Sequence, residues 1–585
     1  MNVDSCSDVY TMENIEHHFK VFAGPGAGKT QWLIDHLGRV SKESNRLGKT
    51  RKIACITYTN VAADEIKKRL DCDLYRIDVS TIHSFLYRNI IKPFSFLIEM
   101  DKDGNPLVNI NEMTGHVEHI PRWDRVRSWI ADIEKLNNKR YGYFNDPEKK
   151  KKIYRYFPTM DWFLSDDKCD LMFRNRPYGL EVPTRNGELV LYKKAYWRYG
   201  ILHHEDVLYF SHYIISNYPE TLDFIRARFP YILIDEFQDT MQLQTNIIRK
   251  IAEEETIVGL VGDLAQSIYM FTGAQRKDFE DFTLDGIQEY NIEQNRRSSR
   301  EIIAYLNTLR TDIQQKEIES TIDVYPVTLI IGDTASARIW IKETFNIEST
   351  ILARNNSKVT ELKQCLNVDS SSDNLLNDLY ALDTDKKRPS FIHSLLIARG
   401  QFIKGNNKDS IKEISKYLKL DKNEKKIGSL TIRKISVAII TEILEDDFLE
   451  KTIFDAYVTI TKLLEQYNVR IAARYATGRA GELAQSHTLT DLMPYIRTET
   501  NQEEIIRTIH SAKGAEFDSV LLVLKDEKEF RKWVIDCVNQ IENVTEDEAR
   551  IYYVAMSRAK NYLFINVPKL DDVSGLYEKL KLVYV

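Results

Sequence analysis

Phe19-Lys20-Val21-Phe22-Ala23-Gly24-Pro25-Gly26-Ala27-Gly28-Lys29-Thr30 is the stretch on which the fold turns. An apolar run of strand type passes into a loop of small residues. An amphipathic stretch with Leu33, Leu37 and Val40 on one face follows. Small residues let consecutive backbone N–H groups wrap a phosphate at a helix N-terminus, where the helix dipole also favours anions. Gly24, Gly26, Ala27, Gly28, Lys29 and Thr30 follow the spacing of a phosphate-binding loop, with Ala23 where the common pattern has its first Gly. In that pattern Lys29 reaches the β- and γ-phosphates and the Thr30 hydroxyl ligates Mg²⁺.

Working outward, strand and helix alternate up to about Asn89, with Ile53 to Tyr58 as a second strand and Val61 to Leu70 as a helix. The pattern resumes at Tyr231-Ile232-Leu233-Ile234 and Ile257-Val258-Gly259-Leu260-Val261. These continuous apolar runs suit strands buried on both faces of a parallel sheet. Between them four of the seven Trp (Trp123, Trp129, Trp162, Trp197) accompany many Tyr and the run Lys149 to Lys152, which reads as an inserted subdomain. A second α/β region starts near Gln288, with strands at Val327 to Ile331, Thr350 to Ala353, Val520 to Leu524 and Tyr562 to Val567. It is interrupted by a polar, mostly helical stretch. The expected layout is a first core from residues 1–88 and 205–288 around an insert at 89–204. A second core from 289–365 and 502–585 surrounds an insert at 366–501.

The 585 residues are 43% hydrophobic, 29% charged and 11% aromatic, with 23 Gly and 14 Pro, a globular composition that excludes collagen-like and broadly disordered classes. There is no apolar run of 18 residues, so no membrane span is expected. Asp4, Asp8, Glu13 and Glu16 exclude a secretory signal from the N-terminus. Six scattered Cys without CxxC or Cys/His spacing read as reduced thiols of a cytoplasmic protein, not as a zinc or iron–sulfur site. With 81 basic and 87 acidic residues, nucleic-acid binding would need a local basic surface.

Ile234-Asp235-Glu236-Phe237-Gln238-Asp239-Thr240 follows a buried strand. An Asp at a strand end can hold Mg²⁺ while its neighbouring Glu orients and deprotonates an attacking water. With this segment the chain resembles the UvrD/Rep-like helicases of superfamily 1, because further motifs occur in that family's order. Thr57-Tyr58-Thr59-Asn60 resembles motif Ia, and Ser80-Thr81-Ile82-His83-Ser84-Phe85 the segment after it. Asp235 to Thr240 is motif II, and Gly262-Asp263 with Gln266-Ser267-Ile268-Tyr269 is similar to motif III. Glu293-Gln294-Asn295-Arg296-Arg297 resembles motif IV. Ile509-His510-Ser511-Ala512-Lys513-Gly514-Ala515-Glu516-Phe517 is similar to motif V, and Tyr553 to Ala559 to motif VI.

The resemblance implies two RecA-like, P-loop parallel-sheet α/β cores, each with a mainly helical insertion, binding ATP and Mg²⁺ between them. Lys29, Thr30, Asp235 and Glu236 would come from the first core, and Gln266 would sense the γ-phosphate. Arg297 and Arg558 would be arginine fingers, groups worth roughly 10³–10⁵ in rate in other phosphoryl-transfer enzymes. Gly514 and Glu516 would touch the nucleotide. For single-stranded DNA the resemblance implies contacts from Thr59, Asn60, Thr81, His83, Arg354 and His510, and base stacking on Tyr269 and Phe271. Taken singly, Phe271 also fits a core position and His83 a structural histidine. The Lys149 to Lys152 run reads as a solvated face or a DNA contact.

Three departures bear on function. No Gln precedes the phosphate loop in residues 1–30, where the family reads adenine. Gln31 and Arg296 stand where the family clamps the base with an Arg and an aromatic, so nucleotide choice is expected to be relaxed. Phe271-Thr272-Gly273-Ala274 lacks the Arg usual in motif III. Two functions follow. One is an ATP-dependent helicase moving 3′ to 5′ on single-stranded DNA and unwinding tailed duplex. The other is a DNA-stimulated ATPase that senses DNA ends and regulates a separate nuclease subunit, as in Gabija-type phage-defence systems. Tyr58 and Ser84-Phe85-Leu86-Tyr87 resemble the latter's small UvrD-like proteins. With little chain after motif VI, no fused nuclease domain is expected.

Overall fold

The computed structural model describes residues 7–70, 75–98, 107–113, 115–137, 147–165, 168–173, 186–366, 375–383, 385, 387–403, 405–418, 427–471, 478–493, 496, 505–535, 541, 547–573 and 580–585. Two parallel sheets organise it. Strands β1 (Ser7–Asp8), β2 (Phe19–Ala23), β3 (Ile53–Thr57), β4 (Ile77–Thr81), β5 (Tyr231–Ile234), β6 (Ile257–Gly262) and β7 (Gln288–Ile292) form the first, in the order β1-β7-β2-β6-β5-β3-β4. Strands β8 (Thr328–Ile331), β9 (Thr350–Ala353), β10 (Ile506–Thr508), β11 (Phe517–Val523), β12 (Ala559–Val567) and β13 (Lys581–Tyr584) form the second, in the order β10-β9-β11-β12-β8-β13. Every pairing in both sheets is parallel. The mixed α/β fold with two large parallel sheets is thus the one expected. Strand β7 pairs with β2 and carries the first sheet to Ile292, past the expected junction at 288/289.

Alternate residues of the first sheet feed two cores. Val21, Ala23, Cys55, Leu233 and Val261 pack with Leu33, Leu37 and Val40 of helix α1 (Lys29–Glu43). Phe22, Ala54, Ile56, Ile232, Ile234 and Leu260 face the other way, into a cluster that runs on through Trp129, Trp162 and Trp197 of the first insert. The aromatic residues therefore fuse the insert to the sheet. The insert holds helices Trp123–Asn137, Pro147–Tyr156 and Asn186–Trp197. It also holds an antiparallel hairpin, Met160–Ser165 with Lys168–Phe173, which a purely helical reading misses. Of the Lys149 to Lys152 run, the Lys149 and Lys150 side chains lie outside the described residues, and Lys151 pairs with Glu148. Beneath the insert, His119, His203 and Glu205 come within 4.8 Å of one another. The buried Lys193 ammonium, 2.9 Å from Asp206 and 3.3 Å from His203 Nδ1, takes the place a cation would occupy there.

The second sheet has its own cluster, built from Leu329, Leu352, Val520, Leu522 and Ile565. Two of its members, Ala265 and Ile268, come from the loop after β6 of the first sheet. The chain divides into one compact unit of residues 1–359 and 505–585 and another of 360–504. The latter is helical, with Phe391, Leu395, Ile439, Tyr457, Ile460 and Leu464 at its centre. Among the described residues no helix is long and apolar enough to cross a membrane.

Gly259 shows how tightly the first sheet seats α1. It sits opposite Phe19, whose ring lies edge-on to His36 and Trp32 of that helix at 5.1 and 5.8 Å. A Cβ at Gly259 would stand 2.1 Å from the Phe19 ring. Gly259→Ala is expected to destabilise this core by about 1–3 kcal/mol, the range for overpacking. Urea denaturation followed by tryptophan fluorescence checks it.

Candidate nucleotide site and strand-facing surface

Helix α1 begins at Lys29 because Gly28, at φ +79°, turns the backbone into the left-handed region just before it, as Gly26 does at φ +72°. Glycine adopts this conformation without strain. Closeness adds a second demand: a Cβ at Gly26 would lie 2.6 Å from Asn295 Oδ1, and one at Gly24 2.4 Å from Gln315 Nε2. The segment leading into the second core lies on the loop itself. The Arg296 N–H donates to the Gly26 carbonyl at 2.9 Å. Asn295 Nδ2 and Gln315 Nε2 donate to the Pro25 carbonyl at 3.1 and 2.7 Å. Lys29, 9% exposed, donates to the Ala23 carbonyl at 3.4 Å, and half-buried Thr30 follows it in the first turn. Ala27, within the loop, is buried against the core of the first sheet.

Strand β5 delivers the acids. The Asp235 N–H donates to the Ile56 carbonyl at 2.9 Å, extending the sheet by one bond. Glu236 then adopts φ +55°, and its N–H donates to Asp235 Oδ1 at 3.0 Å. A left-handed non-glycine costs on the order of 1–3 kcal/mol and is concentrated at functional sites. Burial, reinforced by the charge of Glu236, pushes the Asp235 carboxyl up to about 7, with Lys29 opposing. Burial would raise Glu236 as well, but Lys29, Lys513, Gln238 and Arg558 together hold it below the usual carboxylate range. Asp239 is pushed up to about 7 by burial against the pull of Lys513, with which it is paired.

A chain of contacts runs from these acids into the second core. Asp263 accepts from the Gln266 amide at 2.7 Å, and the Gln266 Oε1 accepts from Arg558 Nη2 at 2.8 Å. Burial, with the charge of neighbouring Arg297 adding to it, lowers Arg558 to about 9. Arg297 Nε donates to Glu516 at 2.8 Å and its Nη1 to the Ser557 carbonyl at 3.2 Å. Burial raises Glu516, and Arg297 and Lys560 outweigh that and hold it low. Gly514, at φ +83°, turns the chain between Lys513 and Glu516. Nearer the loop mouth, exposed Gln31 donates to Asp35 at 2.8 Å and accepts from Arg69 at 2.6 Å. Arg296 meets the Tyr10 hydroxyl at 3.2 Å and stands 5.9 Å from its ring.

The strand-facing candidates divide. Tyr269 stacks on Tyr58 at 5.0 Å and neighbours Phe271 at 5.9 Å. His510 lies 5.5 Å from Phe271 and 6.3 Å from Tyr269. Phe271 is 57% exposed, which removes the core reading for it. Thr59 caps the helix Asn60–Arg69 by accepting from the Ala62 N–H, leaving Asn60 exposed. Thr81 caps the next helix through the Ser84 N–H at 3.4 Å. His83 sits instead between His116 and His204, ring centroids 6.1 and 5.2 Å away. Its Nε2 is buried without a hydrogen-bond partner, and burial lowers it to about 3. Arg354 is held by Glu548 through two hydrogen bonds.

Residues 8–286 match the UvrD/REP helicase N-terminal domain, and residues 459–569 the UvrD-like helicase C-terminal domain. The chain belongs to the UvrD/Rep helicase family. Its class is that of the ATP-dependent DNA helicases. A probable DNA helicase II homolog of Mycoplasma pneumoniae is 24% identical over 610 residues, covering 93% of this chain and 81% of the relative. The ATP-dependent DNA helicase PcrA of Bacillus subtilis is 27% identical over 302 residues, 49% of this chain and 36% of its own. The Gabija protein GajB of Bacillus cereus is 23% identical over 677 residues, covering 96% of this chain and 94% of the relative.

For a UvrD-like helicase the motifs mark most of this geometry, but Tyr10, Gln315 and Arg310 lie outside them. Arg310 is fully buried, 3.1 Å from Asp263, paired with Asp312, and within 3.3 Å of the Tyr553 hydroxyl. An Arg directly after Leu309 in an apolar helix–loop stretch is its only signal in the sequence. Through Asp263 it braces Gln266. Arg310→Leu strands a buried carboxylate, and removing one partner of such a pair costs about 3–5 kcal/mol. A fall in the thermal midpoint, with loss of nucleotide hydrolysis in the folded fraction, is the expected outcome.

Proposed function

We propose that this chain hydrolyses Mg·ATP between its two cores, moves 3′ to 5′ on single-stranded DNA and unwinds tailed duplex. The observation that carries the reading is the hydrogen bond from Arg558 to Gln266, close enough to Glu236 for their charges to interact. A finger from the second core thereby reaches the acids that Lys29 reaches from the first. Thr30 and Asp235 offer the hard oxygen donors that suit Mg²⁺, which would neutralise charge on the β- and γ-phosphates. Glu236 orients and deprotonates the water. Lys29, Arg297 and Arg558 stabilise the departing charge, and Gln266 reads the γ-phosphate. Gly24, Gly26, Ala27 and Gly28 cradle the phosphates, Gly514 and Glu516 close the far side, and Gln31 with Arg296 flanks the base.

The strand runs past Thr59, Asn60, Thr81 and His510, with Tyr269 and exposed Phe271 as platforms, while His83 stays behind it in its histidine cluster. Stacking there is worth about 1–3 kcal/mol per base and tolerates any sequence. Arg354 joins once a phosphate displaces Glu548. Cytoplasmic location suits both substrates.

A second reading is favoured by one observation, the near end-to-end likeness to a Gabija protein. Under it the same ATPase senses DNA ends or single strands and regulates a partner nuclease. Hydrolysis and strand release followed together on 3′-tailed, 5′-tailed and blunt duplexes separate the two. Release from 3′-tailed substrate is expected; vigorous hydrolysis without release moves the function to the sensor, and release only from 5′ tails removes the polarity. Lys29→Ala is expected to abolish both activities while circular dichroism is retained.

Base contacts are expected to discriminate little, since Arg296 offers only guanidinium stacking. Hydrolysis of ATP more than about 100-fold faster than GTP at matched concentrations would refute this.

A further inference from the structure

Five histidines gather where the first insert leaves its sheet and rejoins it. His83 lies in the helix Ile82–Leu86, directly after strand β4. His116 begins the short strand His116–Val117, which pairs in parallel with Leu202–His203, and His204 opens the helix His204–Asn217. In the group formed by His119, His203 and Glu205, the Lys193 ammonium already serves as the cation. Around His83 the acting charges are those of His204, His116 and Glu205. His116 and His204 face each other, with Nδ1 atoms 2.8 Å and ring centroids 4.8 Å apart. The His83 ring stands 5.2 Å from His204 and 6.1 Å from His116, and its Nε2 is buried with no hydrogen-bond partner.

We propose that His83, His116 and His204 are the ligands of a zinc-class divalent metal ion that clips both ends of the first insert to the first core. Three imidazoles on one tetrahedral ion, each nitrogen about 2.0–2.1 Å away, place their ring centroids about 5 Å from one another. The three observed separations bracket that value. Loading parts the two Nδ1 atoms by about 0.6 Å. The His83 ring turns onto the ion about its Cβ–Cγ bond, a torsion with a broad well. A buried nitrogen without a partner is costly, and a metal bond removes that cost. Metals take the neutral ring, and burial keeps His83 in that form. All three rings are partly open to solvent, which gives the ion an entry path and water a fourth position. Nitrogen donors suit zinc, copper or nickel rather than Mg²⁺, so this site is distinct in chemistry from Thr30 and Asp235. The three histidines lie far apart in the chain, and so leave no ligand spacing in the sequence.

The test strips the full chain with a chelator, returns it to excess Mg²⁺ so that oxygen sites are filled, and titrates it with Co²⁺ and then Zn²⁺. One equivalent of Co²⁺ is expected to bind with a Kd below about 10 μM and to give the intense visible bands of a four-coordinate ion. Zn²⁺ displaces it and raises the thermal midpoint of the protein. His83→Ala, His116→Ala and His204→Ala each weaken binding at least about 100-fold and abolish the thermal shift. Weaker wild-type binding, or only the faint bands of an octahedral ion, overturns the inference. So does undiminished binding by any of the three variants, as when the ion is lost from His203→Ala but not from His204→Ala. Where an alanine variant fails to fold, X-ray absorption of the cobalt-loaded wild type decides. Three imidazole donors are expected there, and fewer than three overturn the assignment.

Discussion

Three carboxyls within five residues, Asp235, Glu236 and Asp239, are taken out of water at the end of one strand. Charge in such a place survives only with cations close by. One sheet does not supply enough of them. Lys29 comes from α1, but Lys513 and Arg558 come from the second core. The electrostatics of a single strand end thus require both sheets, and most of the remaining structure arranges that meeting.

The arrangement has two layers. Against the phosphate loop, Asn295, Arg296 and Gln315 hold the Pro25 and Gly26 carbonyls, and the loop must be glycine both for its left-handed turns and for that approach. Behind the acids, Arg310 fixes Asp263, Asp263 fixes Gln266, and Gln266 meets Arg558. Each link changes core at most once, so a displacement at either end has a short polar route to the other. The first insert is fused to its sheet, because the two share one apolar cluster.

Much of this was legible in the sequence for physical reasons. The strands at Tyr231–Ile234 and Ile257–Gly262 are buried on both faces and therefore read as unbroken apolar runs. The nucleotide side is local in sequence, its loop and its acids each confined to one strand end. What escaped lacks such a signal. Strand β7, Gln-Glu-Tyr-Asn-Ile, is polar and read as a junction; β13 is an edge strand with both ends exposed. Gln315 reaches a carbonyl 290 residues away, and Arg310 meets Tyr553 across 243. Periodicity and spacing carry no record of such meetings. Phe271 is the reverse case: an aromatic that composition alone would put inside is exposed.

Ala265 and Ile268 leave the first sheet to sit, fully covered, among Ile302, Ile509 and Ala512 of the second. Parting the two cores uncovers this greasy plug, so its resistance is entropic near room temperature and fades on chilling. Cold should therefore loosen the joint that heat-stable ion pairs still hold, making low temperature a means of populating the parted arrangement.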